Sequence, residues 1–376
     1  MMFLVFLCIV ATTASVHGHK THGVMTYYVK QDVEKIELLR ERFHEVSNPR
    51  SEDYGNYVTF REITEIQRPK QTHIDSVLDH ISSVGGTYID RSLAGDKIVA
   101  FVPIDPILSF ANDLNHSLRS YVDFISGIPS TKRKTKVRRP SLLSRRKPSS
   151  SDDPQSCLAD RAVPPCIRKA YGIENEISTN ENNSQAVIVN QGYKLSDLKA
   201  FCSQYNLKDC DFSITNIGKL DGDAGDEATL DVQYIQASGQ GVPLTWVYIN
   251  GHTSDPFANW IMWASNTSEI PLVHSLSVGE PEDEIARDNG GLSYITRMND
   301  EMMAMSARGI SIIFASGDSG TQDDFFFFNS IKHTCIYAYT THTHTHTGYQ
   351  PNQKFPSSSP YVTSVGKYYY CLLCLS

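Results

Sequence analysis

The 376-residue sequence lacks an apolar run long enough to cross a membrane comfortably. A spanning helix needs about 20 apolar residues, whereas the longest run, MMFLVFLCIVATTA, covers only residues 1–14. Small residues follow it at Ala14–Gly18, a pattern typical of a secretory signal peptide, although no positive charge precedes the run. The sequence therefore predicts a signal peptide over residues 1–18, no membrane span, and entry into the secretory pathway.

Acidic residues are missing between Lys132 and Lys147, where nine Lys or Arg occur in a chain of net charge −8. Aromatic residues are also missing there, which disfavours a nucleic-acid-binding segment. The surrounding sequence is rich in Ser and Pro and has no apolar period. We predict a solvated linker over residues 129–160 that contains a processing region, and no nucleic-acid partner.

Covalent features agree with a secretory route. Asn115, Asn182 and Asn266 each begin an Asn-x-Ser/Thr sequon, so they are candidate glycosylation sites. Among the eight cysteines, two pairs are close enough in sequence for local disulfides: Cys157 with Cys166 and Cys202 with Cys210. Sequence alone does not fix the pairing.

Two sequence patterns divide the remaining chain. Residues 23–124 read as an α+β unit, with helices over 31–46 and 72–83 and strands over 87–90 and 97–102. After Cys166 strands and helices alternate, with strands predicted at 186–189, 212–217, 244–249, 272–278 and 310–315 and helices at 195–205, 226–238, 256–264 and 294–308. Repeated βα units predict an α/β fold with a parallel sheet. Ligand sites in such sheets lie beyond the carboxyl ends of the strands.

The helix predicted over Asp226–Ser238 carries an unusual pair of carboxylates. At 100° per residue, Thr229, Gln233 and Gln236 form a polar stripe, and Glu227 and Asp231 point away from it, toward the protein. Buried acids at i and i+4 repel each other and cost free energy unless they share protons or partners. The pattern therefore indicates a coupled pair with raised pKa values, which is typical of an active site; two solvated acids on an exposed helix are the alternative.

Residues 321–354 interrupt the alternation with FFFF and THTHTHT. Alternating His could bind a metal, but the run is more typical of low-complexity sequence, such as a translated dinucleotide repeat from an unspliced intron. We interpret residues 321–354 as an aberrant insertion and residues 367–376 as an aberrant tail. The acids at Asp221, Asp223 and Asp226 lack the spacing of an EF-hand and read as a solvated loop.

Several sequence blocks together resemble the sedolisin, or serine-carboxyl peptidase, family and its tripeptidyl peptidases. They are SNPRSEDYGNYVTFREI (47–63), PCIRKAYGI (165–173), DEATLDVQYI (226–235), WASNTSEIPLVHSLSVGEPEDE (263–284), ARGISIIFASGDSG (307–320) and FPSSSPYVTSVG (355–366). The resemblance implies a subtilisin-like parallel sheet in a catalytic domain, incomplete here, preceded by a ferredoxin-like α+β activation pro-domain. The implied boundaries are 19–128 for the pro-domain and 161–366 for the partial peptidase domain.

The resemblance also implies roles for three acids. Glu227 would be the general base, Asp231 would orient it and share its proton, and Asp318 would donate a hydrogen bond to the oxyanion. The implied activity is that of an acid serine-type peptidase, an endopeptidase or one that removes tripeptides from free polypeptide N-termini in lysosomes. Its own pro-domain would act as inhibitor.

The sequence departs from the family pattern at three points. The nucleophilic Ser lies in a Gly-Thr-Ser-x-Ser block that does not occur here, and the family Ca²⁺ loop is expected beyond the C-terminus, so no metal or cofactor site is expected in the residues present. Asp323 stands where tripeptidyl-type relatives have Cys. We do not assign Ser319 as the nucleophile, because trypsin-like chemistry needs a double β-barrel and an upstream His. The expectation is an inactive form of a peptidase; the alternative is a non-catalytic protein that binds peptide or inhibits the complete enzyme.

Overall fold

The computed structural model describes residues 22–103, 118–127, 162–207, 214–217, 224–248, 255–317 and 353–366. The predicted signal peptide, the whole linker, most of the insertion, the tail, Asn115 and Asp318 lie outside these ranges. No helix in these ranges is long and apolar enough to cross a bilayer.

The first unit is a four-stranded antiparallel sheet covered by helices. Its elements are β1 (His22–Val29), α1 (Val33–Ser47), α2 (Phe60–Gln67), α3 (Gln71–Ser83), β2 (Thr87–Arg91), β3 (Lys97–Pro103), a 3₁₀ turn (Leu118–Ser120) and β4 (Val122–Ser126). The strand order β2-β3-β1-β4 is that of a ferredoxin-like sheet. Asp32 caps α1 by accepting a hydrogen bond from the Glu34 amide, and Thr59 and Glu62 form a reciprocal capping box on α2.

The second unit is built on a six-stranded sheet. Its elements are α4 (Pro164–Ala170), β5 (Gln185–Val189), α5 (Leu195–Gln204), β6 (Thr215–Ile217), α6 (Asp226–Ser238), β7 (Leu244–Tyr248), α7 (Pro256–Ser265), β8 (Val273–Leu276), β9 (Glu280–Pro281), α8 (Glu282–Asn289), α9 (Leu292–Ala307), β10 (Ser311–Ala315), β11 (Lys354–Phe355) and β12 (Thr363–Val365). The order β12-β10-β8-β5-β7-β6 is parallel at every pairing. β9 and β11 form a separate antiparallel pair, through which Lys354 joins the fold.

The central strand β5 separates two hydrophobic cores. All five of its residues are buried. Ala186 and Ile188 pack in one core with α7 and α9, whereas Val187 and Val189 pack in the other with α5 and α6. Helices therefore cover both faces of the sheet, as a parallel sheet requires.

The two units pack directly against each other along α9. Met303, Ala304 and Ala307 of α9 share a core with Ile36 and Leu39 of α1. The amide of Val58 also donates to the carbonyl of Ala307 at 2.9 Å. The first unit thus covers one side of α9 while the parallel sheet lies on the other.

The predicted α/β fold class is confirmed: a parallel sheet covered by helices follows an α+β unit. The helices predicted at 31–46, 72–83, 195–205, 226–238, 256–264 and 294–308 are all present, with ends that differ by at most two residues. Sequence patterns missed eight elements of eight or fewer residues: β1, α2, β4, α4, α8, β9, β11 and β12. Short elements carry too few apolar repeats to show a period.

Candidate active site

Helix α6 begins at the carboxyl edge of the parallel sheet. The amide of its N-cap residue Gly225 donates to the carbonyl of Gly192 at 3.0 Å, three residues beyond the end of β5. A Cβ on Gly225 would lie 1.8 Å from Oε1 of Gln191, so a larger residue there would have to displace the Gln191 side chain. This contact places the first turns of α6, with Glu227 and Asp231, beside the end of β5.

A second strand end meets the same helix. Ser277 follows β8 directly, and its Oγ donates a 2.8 Å hydrogen bond to Oδ1 of Asp231. In the sheet, the strands β7 and β6 lie on one side of β5. The strands β10 and β12 lie on the other side, beyond β8. Asp231 therefore lies at the point where the sheet connections diverge, which is where open parallel sheets bind ligands.

Burial is the main influence on the charge of Asp231. It raises the pKa of this carboxyl to about 6; the Ser277 hydroxyl acts in the opposite direction and the Glu227 carboxylate adds to the rise. Oδ2 of Asp231 is buried and has no hydrogen-bond partner among the described residues. Glu227, one turn earlier on α6, is partly buried and engaged in interactions of its own. An acid that titrates near pH 6 beside a second acid can exchange protons under mildly acid conditions.

The solvent face of α6 differs from the predicted polar stripe. Gln236 is buried, whereas Leu230 is 48% exposed. The face that packs on the sheet is centred on Ala228 and Val232, and helical geometry brings Gln236, four residues after Val232, into that face. The polar amide of Gln236 predicted a solvent-exposed side chain, but the position of this residue on the helix determines its burial.

Sequence reasoning missed a residue that holds the other end of α6. Arg168 is buried in α4, and its guanidinium donates to the carbonyls of Ala237 and Ser238, the last residues of α6, at 3.0 and 2.8 Å. It also donates to the carbonyls of Ile173 and Glu176. The signal available in the sequence was its place within the PCIRKAYGI block.

The end of β10 provides the third side of the site. The amide of Ser316 donates to the carbonyl of Val365 at 2.9 Å, which ties the end of β10 to β12. Gly317 adopts φ 89°, a left-handed conformation that favours glycine. Asp318 comes next in the chain but lies outside the described residues, so its role as oxyanion donor stays a prediction.

Other candidate residues lie away from this edge. Asn182 and Asn266 are exposed, as sequons require, and Cys166 and Cys202 are each disulfide-bonded. No cluster of three or more His, Cys, Asp or Glu placed to hold a metal occurs in the described part of the chain. A cavity of about 440 Å³, lined by Ser184, Leu272 and Ile310, lies at the opposite, amino edge of the sheet, and is therefore not part of the carboxylate site.

Comparison with known proteins identifies relatives of both units. Residues 19–110 match the family described as "Pro-kumamolisin, activation domain". The chain is 28% identical to tripeptidyl-peptidase 1 of Homo sapiens over 375 residues, covering 91% of this chain and 61% of the relative. It is 29% identical to tripeptidyl-peptidase 1 of Canis lupus familiaris over 378 residues, with coverage of 91% and 61%. The chain thus spans about three fifths of the length of these relatives.

A solved structure, the Pseudomonas sedolisin (serine-carboxyl proteinase) complexed with two molecules of pseudo-iodotyrostatin, is similar at 20% identity and a TM-score of 0.39. It covers 54% of this chain and 52% of that protein. The fold class rests on the strand order above and not on this superposition. The predicted resemblance to the sedolisin family is confirmed by the activation-domain match and the curated relatives.

Proposed function

We propose that this chain supplies the pro-domain and the carboxylate machinery of a sedolisin-type serine peptidase. The enzyme works at acid pH and removes tripeptides from free polypeptide N-termini, in lysosomes. One observation carries the proposal. Asp231, a partly buried acid one turn from Glu227, lies at the diverging strand ends with its pKa raised to about 6.

The proposed roles follow from what each carboxyl group can do. Glu227 takes the proton of the attacking Ser hydroxyl, Asp231 holds the proton that the pair shares, and Asp318 in its protonated form donates to the oxyanion. Partial burial of the pair suits acid pH, because one proton is then retained between two carboxylates. The Ca²⁺ implied by the resemblance finds no cluster of acidic ligands among the described residues, and no step here uses it.

The nucleophile must come from a Gly-Thr-Ser-x-Ser block, which is not among these 376 residues. A polypeptide of these residues alone is therefore expected to bind peptide without cleaving it, because base and oxyanion donor without a nucleophile leave only binding and electrostatics. Inhibition of the complete enzyme by such a polypeptide is the second candidate function. It is favoured by the tight packing of the first unit against α9.

The pro-domain is proposed to span residues 19–128 and to be released by cleavage in the basic linker, residues 129–160. Its contacts with α9 support an inhibitory role, since the unit cannot leave without exposing the apolar surface of Met303, Ala304 and Ala307. Exposed, uncovered segments rich in polar residues are the usual sites of proteolytic processing.

The test uses the natural product of the gene, isolated from cells and acidified. Its intact mass and N-terminal sequence identify the mature form, and an unblocked peptide and its N-acetylated twin serve as substrates. We expect a mature start within the linker and release of tripeptides from the unblocked peptide alone. Glu227→Gln should lower kcat/KM by about 10²- to 10⁴-fold because the general base is lost.

Leu230→Gln is the matched control, because it changes an exposed residue of the same helix. A mature product that contains the nucleophile block yet cleaves neither peptide between pH 3 and 7 would overturn the proposal. A natural product without that block that inhibits the complete enzyme would favour the second candidate.

A further inference from the structure

Ser277 links the parallel sheet to the carboxylate pair of Glu227 and Asp231. It is the first residue after β8, a strand held on both sides by parallel pairing with β5 and β10. The backbone at Ser277 is therefore positioned by the middle of the sheet and not by a surface loop. From there its Oγ donates to Oδ1 of Asp231 at 2.8 Å.

The two oxygens of Asp231 are not equivalent. Oδ1 accepts from Ser277, whereas Oδ2 is buried without a hydrogen-bond partner among the described residues. A buried carboxylate oxygen without a donor is costly, and protonation of that oxygen removes the cost. Oδ2 is thus the atom on which a proton of the pair is best held, and the hydrogen bond at Oδ1 fixes which oxygen that is.

We propose that Ser277 is a positioning residue of the proposed peptidase site. By occupying Oδ1 of Asp231, it orients the carboxyl group so that Oδ2 carries the proton shared with Glu227. The inference rests on the proposed function, since it gives Ser277 a purpose only if the two acids work as a pair. Without the hydroxyl, the carboxyl torsion is free to turn, because terminal sp³–sp² torsions have broad minima.

Ser277 also affects the pKa of the Asp231 carboxyl. Among the described residues, three influences act on the Asp231 carboxyl: burial raises its pKa, the Ser277 hydroxyl lowers it, and the Glu227 carboxylate raises it. Loss of the hydroxyl removes the one influence that favours the ionised form. Asp231 would then keep its proton to higher pH.

The experiment titrates the carboxyl groups of the intact chain by NMR, with ¹³C labels on Asp and Glu, between pH 3 and 8. Asp231→Asn identifies the Asp231 signal by its loss. Ser277→Ala should raise the Asp231 midpoint by about one pH unit, as expected for loss of a hydrogen bond to a charged group. Ser277→Thr, which keeps a hydroxyl, should restore the midpoint.

Ser275→Ala is the matched control, since it removes a hydroxyl from β8 itself and leaves the Ser277–Asp231 hydrogen bond in place. If Ser277→Ala does not fold, Ser277→Cys is titrated instead and must raise the midpoint, because a thiol is a weak donor. Titration of the folded Ser277 variant with an unchanged Asp231 midpoint overturns the inference.

A Glu227→Gln arm separates this inference from the proposed function. If Glu227→Gln alters the Asp231 titration while Ser277→Ala does not, only the inference about Ser277 fails. If Glu227→Gln leaves the Asp231 titration unchanged, the two acids are not coupled. The proposed function then fails together with the inference that rests on it.

Discussion

Arg168 connects a single side chain to the placement of the candidate catalytic helix. The last carbonyls of any α-helix have no partner within the helix. Two of these in α6, those of Ala237 and Ser238, accept from the Arg168 guanidinium, which adds a favourable positive charge at the negative end of the helix dipole. The same guanidinium also reaches the carbonyls of Ile173 and Glu176, so it ties three segments together.

Removal of this group should destabilise the chain more than removal of its neighbour. Arg168→Ala leaves the buried carbonyl of Ala237 and three part-buried carbonyls without this donor, and we expect it to lower the free energy of unfolding by about 3 kcal/mol. Arg168→Lys should recover less than half of that loss, because an ammonium cannot reproduce the planar fork. Urea unfolding followed by circular dichroism measures both. Lys169→Ala, at an exposed neighbouring position, is the control, and an equal loss there would contradict the assigned role.

At the scale of elements, α9 is buried on more sides than its sequence indicates. The apolar spacing of Ile295, Met298, Met302 and Met305 predicted its sheet-facing side correctly. Arg297 and Glu301 are also buried, with side chains only 2% exposed. Their partners, Asp96 and Lys97, come from the first unit about 200 residues earlier in the chain. A charged residue at a helix position normally predicts solvent, and no local pattern reveals a distant ion partner.

The same limit explains which parts of the site could be predicted. The α6 carboxylates were found because helical geometry relates Glu227 to Asp231 within one short segment. Ser277 was missed, since a single Ser after a strand has no periodic signal and its bond to Asp231 depends on the order of β5 and β8 in the sheet. The burial of Gln236 was also missed, because it depends on how α6 sits on the sheet.

Arg297 is the centre of the ionic contact between the units. It contacts Asp96 at 2.8 Å, Asp123 at 2.6 Å and Glu301 at 2.8 Å. Removing one member of a buried ion network leaves uncompensated charge and costs about 3–5 kcal/mol. Arg297→Met should therefore loosen the first unit, which native-state hydrogen exchange of amides in β1 and β4 would detect as faster exchange.

Arg42→Met is the control for that experiment. Arg42 forms ion pairs with Glu45 and Asp53, but these side chains are 36%, 52% and 47% exposed. Exposed pairs contribute little to stability, about 0–1 kcal/mol. Unchanged exchange in Arg297→Met, or equal acceleration in both variants, would show that the buried network does not hold the units together.

For the whole molecule, the interunit network should persist at acid pH. Burial alone would raise the pKa of Asp96, but Lys97 and Arg297 outweigh it and lower that pKa to about 2. A depressed acid pKa stabilises the fold above the unfolded value of about 3.9 and loses that effect only as pH falls through the folded value. Between pH 7 and 4.5 Asp96 stays ionised in both states, so acid in this range acts through other groups.

Two titratable side chains, the acid Asp231 and the base His274, respond in that range, and they change the stability of the fold in opposite directions. Burial raises the pKa of Asp231 to about 6, so the folded state binds a proton before the unfolded state does and gains stability as pH falls below about 6. Burial lowers the pKa of His274, which accepts from Trp260 Nε1, to about 3. The unfolded His protonates below about 6.5, so stability is lost as pH falls.

We therefore expect two substitutions to tilt the stability profile in opposite directions. Asp231→Asn removes the stability that the folded chain gains when Asp231 binds a proton. The stability of this variant relative to the original chain should therefore fall by about 2 kcal/mol between pH 7 and 4.5. His274→Gln removes the stability loss that protonation of the unfolded His causes, and it keeps an acceptor for Trp260. The stability of this variant relative to the original chain should therefore rise by about 2–3 kcal/mol over the same interval. Urea unfolding of the three proteins at both pH values measures these differences. Parallel profiles for all three would mean that neither buried group changes protonation between the folded and unfolded states, and the charge assignment of Asp231 at the candidate site would fail with it.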